Sequence, residues 1–234
     1  SDVEDYLEQY RTIDESVRRL YCEFDKKLRI GMGPLEFSII AQPLKRFVER
    51  WPNVEVICSV YTYQRLVRHL RSGTVDIAVG PMSCGADVSG TVSLLARREN
   101  WVVTASQDAP FWGLPRESQA VLAGQTVITL FENMFEPVRP HCIKYDFQQA
   151  AFTHSNYLYP LITMVRAGCG ISLLPFSLRE SIPNDVIMQP GLLRIPLEQD
   201  VVISYKRDLF NTAVSRFLDC CRECFGDIPA VGTP

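Results

Sequence analysis

The sequence predicts an α/β protein built on a largely parallel sheet. Between residues 27 and 81, short apolar stretches typical of strands alternate with apolar residues at helical spacing. Glycine, proline or asparagine, which favour turns, separate most of these stretches. Strands that alternate with helices need crossover connections, which place consecutive strands parallel to one another.

The first strand, helix and strand of this region are predicted between residues 28 and 58. Residues 28–32 are rich in apolar side chains, and Gly33-Pro34 ends this strand. Val54, Val56 and Cys58 occupy alternate positions, as in a strand. The helix between them is marked by apolar residues at helical spacing, namely Ile40, Leu44, Phe47, Val48 and Trp51.

A second helix and a third strand complete the region. Leu66, Val67 and Leu70 mark the helix. Ser72-Gly73 closes it, because glycine suits the left-handed conformation at a helix end. Residues 75–79 form a short apolar strand.

The remaining elements follow weaker patterns. Residues 82–90 predict an exposed loop, and a short helix is predicted at residues 117–122. Ser155 or Asn156 can cap a helix that ends at Gly168. Further strands are predicted at residues 92–95, 101–105, 127–131, 150–153, 171–174, 192–195 and 201–205, and a last helix is predicted at residues 213–225.

The sequence does not decide at which residue two of the predicted helices begin, because each has a proline near its start. Pro43 and Pro160 each follow a potential capping serine, Ser38 and Ser155, by five residues. Proline lacks an N–H, so either both helices begin after their serines or both are distorted in the first turn. The parallel placement predicts that two parts of the chain are built alike.

The N-terminus predicts one long helix with a narrow apolar seam over residues 1–25. Its apolar positions step alternately by three and four, which is the spacing of a coiled coil: Val3, Tyr6, Tyr10, Ile13, Val17, Leu20 and Phe24. A lone helix of this length is marginal in water. We therefore favour pairing with a second copy over packing on the helix's own domain.

Composition and charge narrow the class of protein. The chain has 234 residues, of which 47% are hydrophobic, and this is enough for one large domain or two small lobes. Its net charge of -3 argues against DNA binding by this chain alone. No apolar run is long enough for a membrane span, and the acidic start does not resemble a signal peptide. We expect a cytoplasmic protein with no membrane contact.

The eight cysteines are not spaced as a disulfide framework, which favours a reducing compartment. Cys221 and Cys224 form a C-x-x-C without a second pair of ligands. We interpret them as small side chains on the last helix, and we predict no metal and no cofactor.

Three phrases occur in order along the chain. The first is Arg29-Ile30-Gly31 with a proline twelve residues later, followed by the pattern L-x-x-G-x-x-D-I-A at residues 70–78. The second is Leu-Ala-Gly at 122–124, which leads into the strand at 127–131. The third runs from Met164 to Pro175 as helix, Gly-x-Gly, strand and proline. Together they resemble the effector-binding domain of LysR-type transcriptional regulators, over roughly residues 28 to 225.

The resemblance implies a two-lobed fold like that of type 2 periplasmic binding proteins, with mixed, mostly parallel sheets behind a long linker helix. It divides the chain into the linker helix at 1–25, lobe one at 26–101 and 204–227, and lobe two at 102–203. It also implies a small-molecule effector, a homodimer or homotetramer, and contact with DNA only through a winged helix-turn-helix absent from this chain. The implied function is sensing in transcription regulation, not catalysis.

Candidate ligand-binding residues follow from the sheet prediction, because ligands bind beyond the carboxyl ends of parallel strands. The resemblance adds the crossover positions Trp101 and Tyr205. The candidates are Pro34, Leu35, Glu36, Phe37, Ser38, Tyr61, Thr62, Tyr63, Trp101, Phe131, Glu132, Ser155, Asn156, Tyr157 and Tyr205.

The candidate set is acidic and aromatic. Where many members of the family carry Ser or Thr in the first loop, this chain has Pro34, Leu35 and Glu36, and the loop in lobe two carries Glu132. Two carboxylates beside one cleft repel an anionic ligand. With the aromatic candidates they favour a cationic, zwitterionic or flat aromatic ligand. The alternative is that Glu36 faces water and half of the aromatic side chains belong to the core.

Catalysis has little support in the sequence. The three histidines, His69, His141 and His154, lie in none of the spacings that place a base beside a nucleophile. A free-standing solute-binding protein of the same two-lobed fold is the main alternative. An enzyme on this scaffold is a third interpretation, because a fold does not fix its function.

Overall fold

The computed structural model describes residues 26–86, 88–113, 122, 124–131, 151–193, 196–207, 211–226 and 230–231. Backbone contacts divide the chain into two compact units. Unit 1 contains the described residues up to Gly33, Ile40–Ala96 and those from Val202 onward. Unit 2 contains Pro34–Ile39 and Arg97–Val201. The predicted helix at residues 1–25 lies outside the described residues.

The described secondary structure follows the predicted alternation. The strands are β1 (Lys27–Met32), β2 (Glu55–Val60), β3 (Ile77–Pro81), β4 (Thr91–Ser106), β5 (Thr126–Leu130), β6 (Ala151–Ser155), β7 (Ser172–Pro175), β8 (Val186–Gln189), β9 (Leu197–Lys206) and β10 (Ala230–Val231). The helices are α1 (Ala41–Arg50), α2 (Tyr63–Ser72), α3 (Ser83–Ala86), α4 (Leu158–Arg166) and α5 (Thr212–Phe225), with a 3-10 helix at Phe176–Ser181.

Unit 1 is a sheet in the order β10-β4-β9-β3-β1-β2. β1 pairs in parallel with both β2 and β3, which confirms the parallel arrangement predicted for residues 27–81. Gly73 ends α2 in the left-handed conformation, with φ of 74°, as predicted. β2 is the end strand of the described sheet, and its residues Ile57 and Val60 are exposed.

The core of unit 1 joins α1 and α5. Phe47 of α1 meets Phe217 of α5 edge to face, with ring centroids 5.8 Å apart, and both side chains are fully buried. At the surface of the same helices, Arg46 and Arg50 form ion pairs with Glu223. α5 therefore stabilises α1.

Unit 2 is built around the second half of β4. Residues 101–104 of this strand pair with β7 and residues 103–106 with β8, both antiparallel, while β5 and β6 form a separate parallel pair. α4 contributes Leu161, Ile162 and Val165 to an apolar cluster with Ile128 and Leu130 of β5. We call this cluster, which also contains Leu35, Val102, Leu174, Leu178, Ile182, Val186 and Met188, the α4 cluster.

Several local predictions were wrong. The two strands predicted around Arg97-Arg98-Glu99 are one continuous strand, β4, because its exposed charges pair within the sheet, as Arg98 does with Asp200 of β9. The loop predicted at residues 82–90 contains α3. The sequence patterns missed β8, whose four residues are too few for a clear alternation. Leu192 and Leu193, predicted to start a strand, lie outside any strand.

The two prolines occupy the same position in both helices. α1 begins after Ile40 and α4 after Tyr157, which places Pro43 and Pro160 at the third helical residue. The N–H groups of a first turn have no partner within the helix, so proline fits there without distortion. The first of the two alternatives is therefore confirmed, and neither Ser155 nor Asn156 caps α4.

Among the described residues, none of the helices is both long and apolar enough to cross a membrane.

Candidate functional site

The loop that follows β1 belongs to unit 2 although β1 belongs to unit 1. Leu35 is buried in the α4 cluster, and Phe37 packs against that cluster while remaining partly exposed. Glu36 is 2% exposed, and its Oε2 accepts a hydrogen bond of 3.2 Å from the Leu35 N–H. The alternative in which Glu36 faces water is therefore excluded. Pro34 and Ser38 are half-buried.

Buried polar atoms without a hydrogen-bond partner concentrate in unit 2. Six such atoms occur among the described residues, and only Thr91 Oγ1 belongs to unit 1. Asp185 Oδ1 is one of the five in unit 2, and the other carboxylate oxygen of Asp185 accepts a bond from Arg166. The other four are Ser38 Oγ, Glu99 Oε1, Trp101 Nε1 and Ser177 Oγ. We call these four the unsatisfied set.

Glu99 is the buried charge of this set. Its side chain lies on β4, its residue is 4% exposed, and its Oε1 lies 3.6 Å from Nη1 of Arg97. That separation allows an ion pair but exceeds a hydrogen bond. A buried carboxylate oxygen that accepts no hydrogen bond is unusual, because water would otherwise solvate it.

In unit 1 the candidates Tyr61, Thr62 and Tyr63 follow the carboxyl end of β2. Tyr61 stacks on His69, with ring centroids 4.4 Å apart. Thr62 is the N-cap residue of α2, but its hydroxyl makes no capping hydrogen bond. Tyr63 packs against the apolar cluster around Leu66. Tyr205, on β9, is half-buried.

In unit 2 a second group of candidates surrounds the ends of β5 and β6. Phe131 has φ of 59°, the left-handed region that residues other than glycine rarely adopt. The Phe131 N–H donates to the Ser155 carbonyl at 2.7 Å, and the Thr129 hydroxyl donates to the Phe131 carbonyl at 3.1 Å. These bonds hold the strained backbone and direct the Phe131 ring against the α4 cluster.

The predicted hydroxyl site at Ser155 is only partly available. Ser155 is buried, and its hydroxyl donates to the Tyr157 carbonyl at 3.0 Å. Asn156 is exposed, and Tyr157 is 72% exposed. Glu132 lies outside the described residues.

The structure thus brings part of the predicted set together on one cluster. Phe37, Trp101 and Phe131 are partly buried, and all three pack against the α4 cluster beside Leu35. The sequence interpretation missed Glu99 and Ser177. The signal for Glu99 was its place in a charged patch between two apolar strand patterns, whereas Ser177 had none.

Cys220 and Cys221 are poorly suited to metal or redox chemistry. No group of three or more described histidine, cysteine, aspartate or glutamate residues could hold a metal ion. Burial raises the pKa of the Cys221 thiol well above its ordinary value, and burial also raises the pKa of Cys220. The protonated thiol is a weak nucleophile and a weak ligand.

Comparison with solved structures shows the fold. A cysteine variant of OxyR from Corynebacterium glutamicum superposes with a TM-score of 0.71 at 16% identity, over 96% of this chain and 74% of that one. Full-length OxyR from Pseudomonas aeruginosa superposes with a TM-score of 0.72 at 17% identity, over 94% of this chain and 77% of that one. The effector-binding domain of BenM with its effector benzoate superposes with a TM-score of 0.66 at 14% identity, over 85% of this chain and 91% of that one.

Sequence comparisons give the family. A search of curated protein sequences found no significant match. The model of the LysR substrate binding domain, by contrast, matches residues 23–226, which is most of the chain. Both the fold and the sequence phrases noted above agree with this match. The chain belongs to the LysR substrate binding domain family.

Proposed function

We propose that this chain senses a small-molecule effector for a LysR-type transcription regulator. The observation that carries the proposal lies in unit 2, where three partly buried aromatic side chains pack against one apolar cluster and five buried polar side-chain atoms lack a hydrogen-bond partner among the described residues. Binding sites combine apolar walls with a few polar groups that lack partners in the free protein. The family consists of regulatory effector-binding domains, which agrees with sensing and not with catalysis.

The proposed organisation has a linker helix at residues 1–25, lobe one at 26–101 and 204–227, and lobe two at 102–203. The regulator would act in the cytoplasm as a homodimer or homotetramer and contact DNA through a separate N-terminal winged helix-turn-helix. Binding of the effector would shift the population of conformations by its difference in affinity between them.

A metabolite screen tests the sensing function. A ligand present at about one hundred times its dissociation constant should raise the free energy of unfolding by about 2.7 kcal/mol. We expect at least one organic metabolite to produce such a shift in a thermal melt. A broad screen without any hit would contradict the proposal.

Substitution of Thr62 then tests whether unit 1 contributes to binding. Thr62→Ala should weaken the hit about two- to twelve-fold, as expected for one neutral hydrogen bond of about 0.5–1.5 kcal/mol. Because the Thr62 hydroxyl makes no capping bond, little stability should be lost. Calorimetric titration measures the affinity, and Thr74→Ala, at an exposed position of the same unit, is the control. Ser155→Ala is the corresponding variant in unit 2. If both substitutions leave the affinity unchanged, these candidates do not bind the effector.

Assembly through the N-terminal seam has its own test. We expect a variant with Ile13→Asp and Leu20→Asp to lose oligomers, because two buried charges would disrupt a coiled-coil interface. Light scattering at low concentration measures the mass. A mass equal to that of the parent would show that the seam is not an interface.

A further inference from the structure

Three arginines lie on the solvent side of α2 in unit 1. Arg65, Arg68 and Arg71 follow one another at intervals of three residues, and all three are exposed. Successive members of this series are about 60° apart around an α-helix, so the three side chains share one side of α2. The opposite side carries Leu66 and Leu70, which are fully buried. We call the three arginines the basic face.

The described elements around α2 carry no carboxylate. α2 packs mainly against β1, β3 and α3, and none of these four elements contains aspartate or glutamate. Asp76, between α2 and β3, is buried and forms an ion pair with Arg29. Among the described residues, Arg65 and Arg68 have no ion-pair partner. At least these two charges are therefore not balanced within the described part of unit 1.

α1 of the same unit differs from α2 in this respect. Arg46 and Arg50 of α1 both form ion pairs with Glu223 of α5. The arginines of α1 thus have a carboxylate partner on a neighbouring helix, whereas Arg65 and Arg68 of α2 have none among the described residues.

The charges of the basic face oppose one another and, at Arg65, the helix dipole. Arg65 is the third residue of α2, where N–H groups without helical partners favour a negative side chain. Like charges about one turn apart also destabilise a helix. Lys206 donates from its Nζ to the Arg71 carbonyl and adds a fourth cation at the end of α2. A surface with this arrangement gains stability from an acidic partner.

An acidic partner is present in the chain itself. Residues 1–15 contain one basic residue, Arg11, and six acidic residues, Asp2, Glu4, Asp5, Glu8, Asp14 and Glu15. This excess of five exceeds the net charge of -3 of the whole chain, so the rest of the chain is net positive. None of the acidic residues occupies a position of the predicted apolar seam, and a contact through them leaves the seam free. We call residues 1–15 the acidic segment.

The acidic segment is tethered close to α2. The described chain starts at Lys26, just before β1, and the Asp76 N–H donates to the Arg29 carbonyl of β1 at 2.8 Å. The turn that follows α2 therefore lies beside the beginning of β1. Residues 16–25 span about 15 Å as a helix or up to about 35 Å when extended, and α2 is about 15 Å long. The tether is thus long enough for the acidic segment to reach the basic face of its own chain.

We propose that the acidic segment binds the basic face of α2 in the same chain. Carboxylates of the segment form ion pairs with Arg65 and Arg68. Each surface ion pair is weak, but the tether supplies a high local concentration of the segment. The inference goes beyond the proposed sensing function, because it assigns to α2 a contact that does not involve an effector.

Carbodiimide cross-linking of the whole chain tests the contact. The reagent joins a carboxylate to an amine in contact with it and does not use arginine, so Arg68→Lys places a reactive amine at the centre of the basic face. Mass spectrometry should find position 68 of this variant joined to a carboxylate of the acidic segment. Lys45, which is exposed on α1, is the internal control and should not be joined to the segment.

Isotope labels identify the source of the segment. In an equal mixture of ordinary and nitrogen-15 protein, a link within one chain joins two peptides with the same label. Links between differently labelled peptides would refute the same-chain assignment. If position 68 forms no link to the acidic segment, or if Lys45 is joined to the segment as often as position 68, the proposal is refuted.

Charge reversal gives effects of opposite sign for a bound and a solvated basic face. If the arginines are only solvated, Arg65→Glu combined with Arg68→Glu removes repulsion and places a favourable charge in the first turn, so the melting temperature should rise or stay the same. If the acidic segment binds, the melting temperature should fall at low salt. Lys45→Glu makes the same kind of charge change on α1 and should have a smaller effect.

A charge swap completes the test. Adding Glu4→Arg, Asp5→Arg and Glu8→Arg to the reversed face brings opposite charges together again and should recover part of the lost melting temperature. A fall without any recovery would refute pairing between the two surfaces. Arg68→Lys keeps the positive charge, so the cross-linking result decides the proposal even if the reversed variants do not fold.

Discussion

Two buried carboxylates, one in each unit, differ in how many hydrogen bonds they accept. Asp76 in unit 1 is 1% exposed and accepts three hydrogen bonds from Arg29, from the backbone N–H at 2.8 Å and from the guanidinium at 3.1 and 2.6 Å. Glu99 in unit 2 is 4% exposed and has only a 3.6 Å ion pair with Arg97 at its Oε1. Full pairing is typical of a structural carboxylate, whereas an unsatisfied one indicates a group reserved for another partner.

The largest expected difference between the two units is in the free energy of unfolding when each carboxylate is neutralised in turn. Asp76→Asn should lower the free energy of unfolding by about 2–4 kcal/mol, because it weakens the charge-assisted bonds that Asp76 accepts from Arg29. Glu99→Gln should change it by less than about 1 kcal/mol, since few native bonds are lost and a buried charge is removed. Denaturant unfolding of the ligand-free proteins measures both values. Equal losses would show that Glu99 is structural as well.

Ser93, which is buried, and Ser177, which is half-buried with a buried hydroxyl oxygen, extend the comparison to neutral groups. In unit 1 the hydroxyls of Ser93 and Ser204 bond each other at 2.9 Å, whereas Ser177 Oγ in unit 2 has no partner among the described residues. Ser93→Ala should cost about 1–2 kcal/mol, because Ser204 loses its bond in a buried place. Ser177→Ala should cost nothing measurable. If the two variants unfold at the same denaturant concentration, the partner status of a serine does not distinguish the units.

The smallest expected effect is at the surface of unit 1. Hydrogen bonds from Arg50, with a further contribution from Arg46, lower the pKa of Glu223 from 4.5 to about 2. A depressed carboxyl pKa adds stability above its ordinary value, and that stability is lost as the pH falls from about 4.5 toward 2. The parent should therefore lose more stability over this window than Glu223→Gln does. Acid titration curves of unfolding that run parallel for the two proteins would contradict the ion-pair contribution.

The local patterns were predictable because they depend on neighbours in sequence. Apolar spacing predicted α1 and α5, and Gly73 was recognised as the end of α2. Proline chemistry narrowed the start of α4 to two alternatives, although it did not choose between them. Such features need only the residues within about one turn.

The unsatisfied set was not predictable, since it depends on contacts between distant segments. Ser38 entered the candidate set for its position after a predicted strand, and Trp101 entered it as a crossover position implied by the resemblance. Neither was chosen for a missing partner. Glu99 looked like part of an exposed charged patch, and only the continuity of β4 shows that this residue is buried while Arg98 faces solvent. The direction of Glu36 was likewise open until the packing of Leu35 fixed the loop.

The division of the chain also sets the order in which the units are completed during synthesis. Every residue of unit 2 lies between Pro34 and Val201, whereas unit 1 requires α5, whose Phe217 packs on Phe47. Unit 1, which contains β1, is therefore the last to acquire its full sequence on the ribosome. More than 160 residues are synthesised after α1 before its packing partner α5 begins. We expect a nascent chain stalled after Val201 to protect unit 2 from protease and to leave α1 open to cleavage.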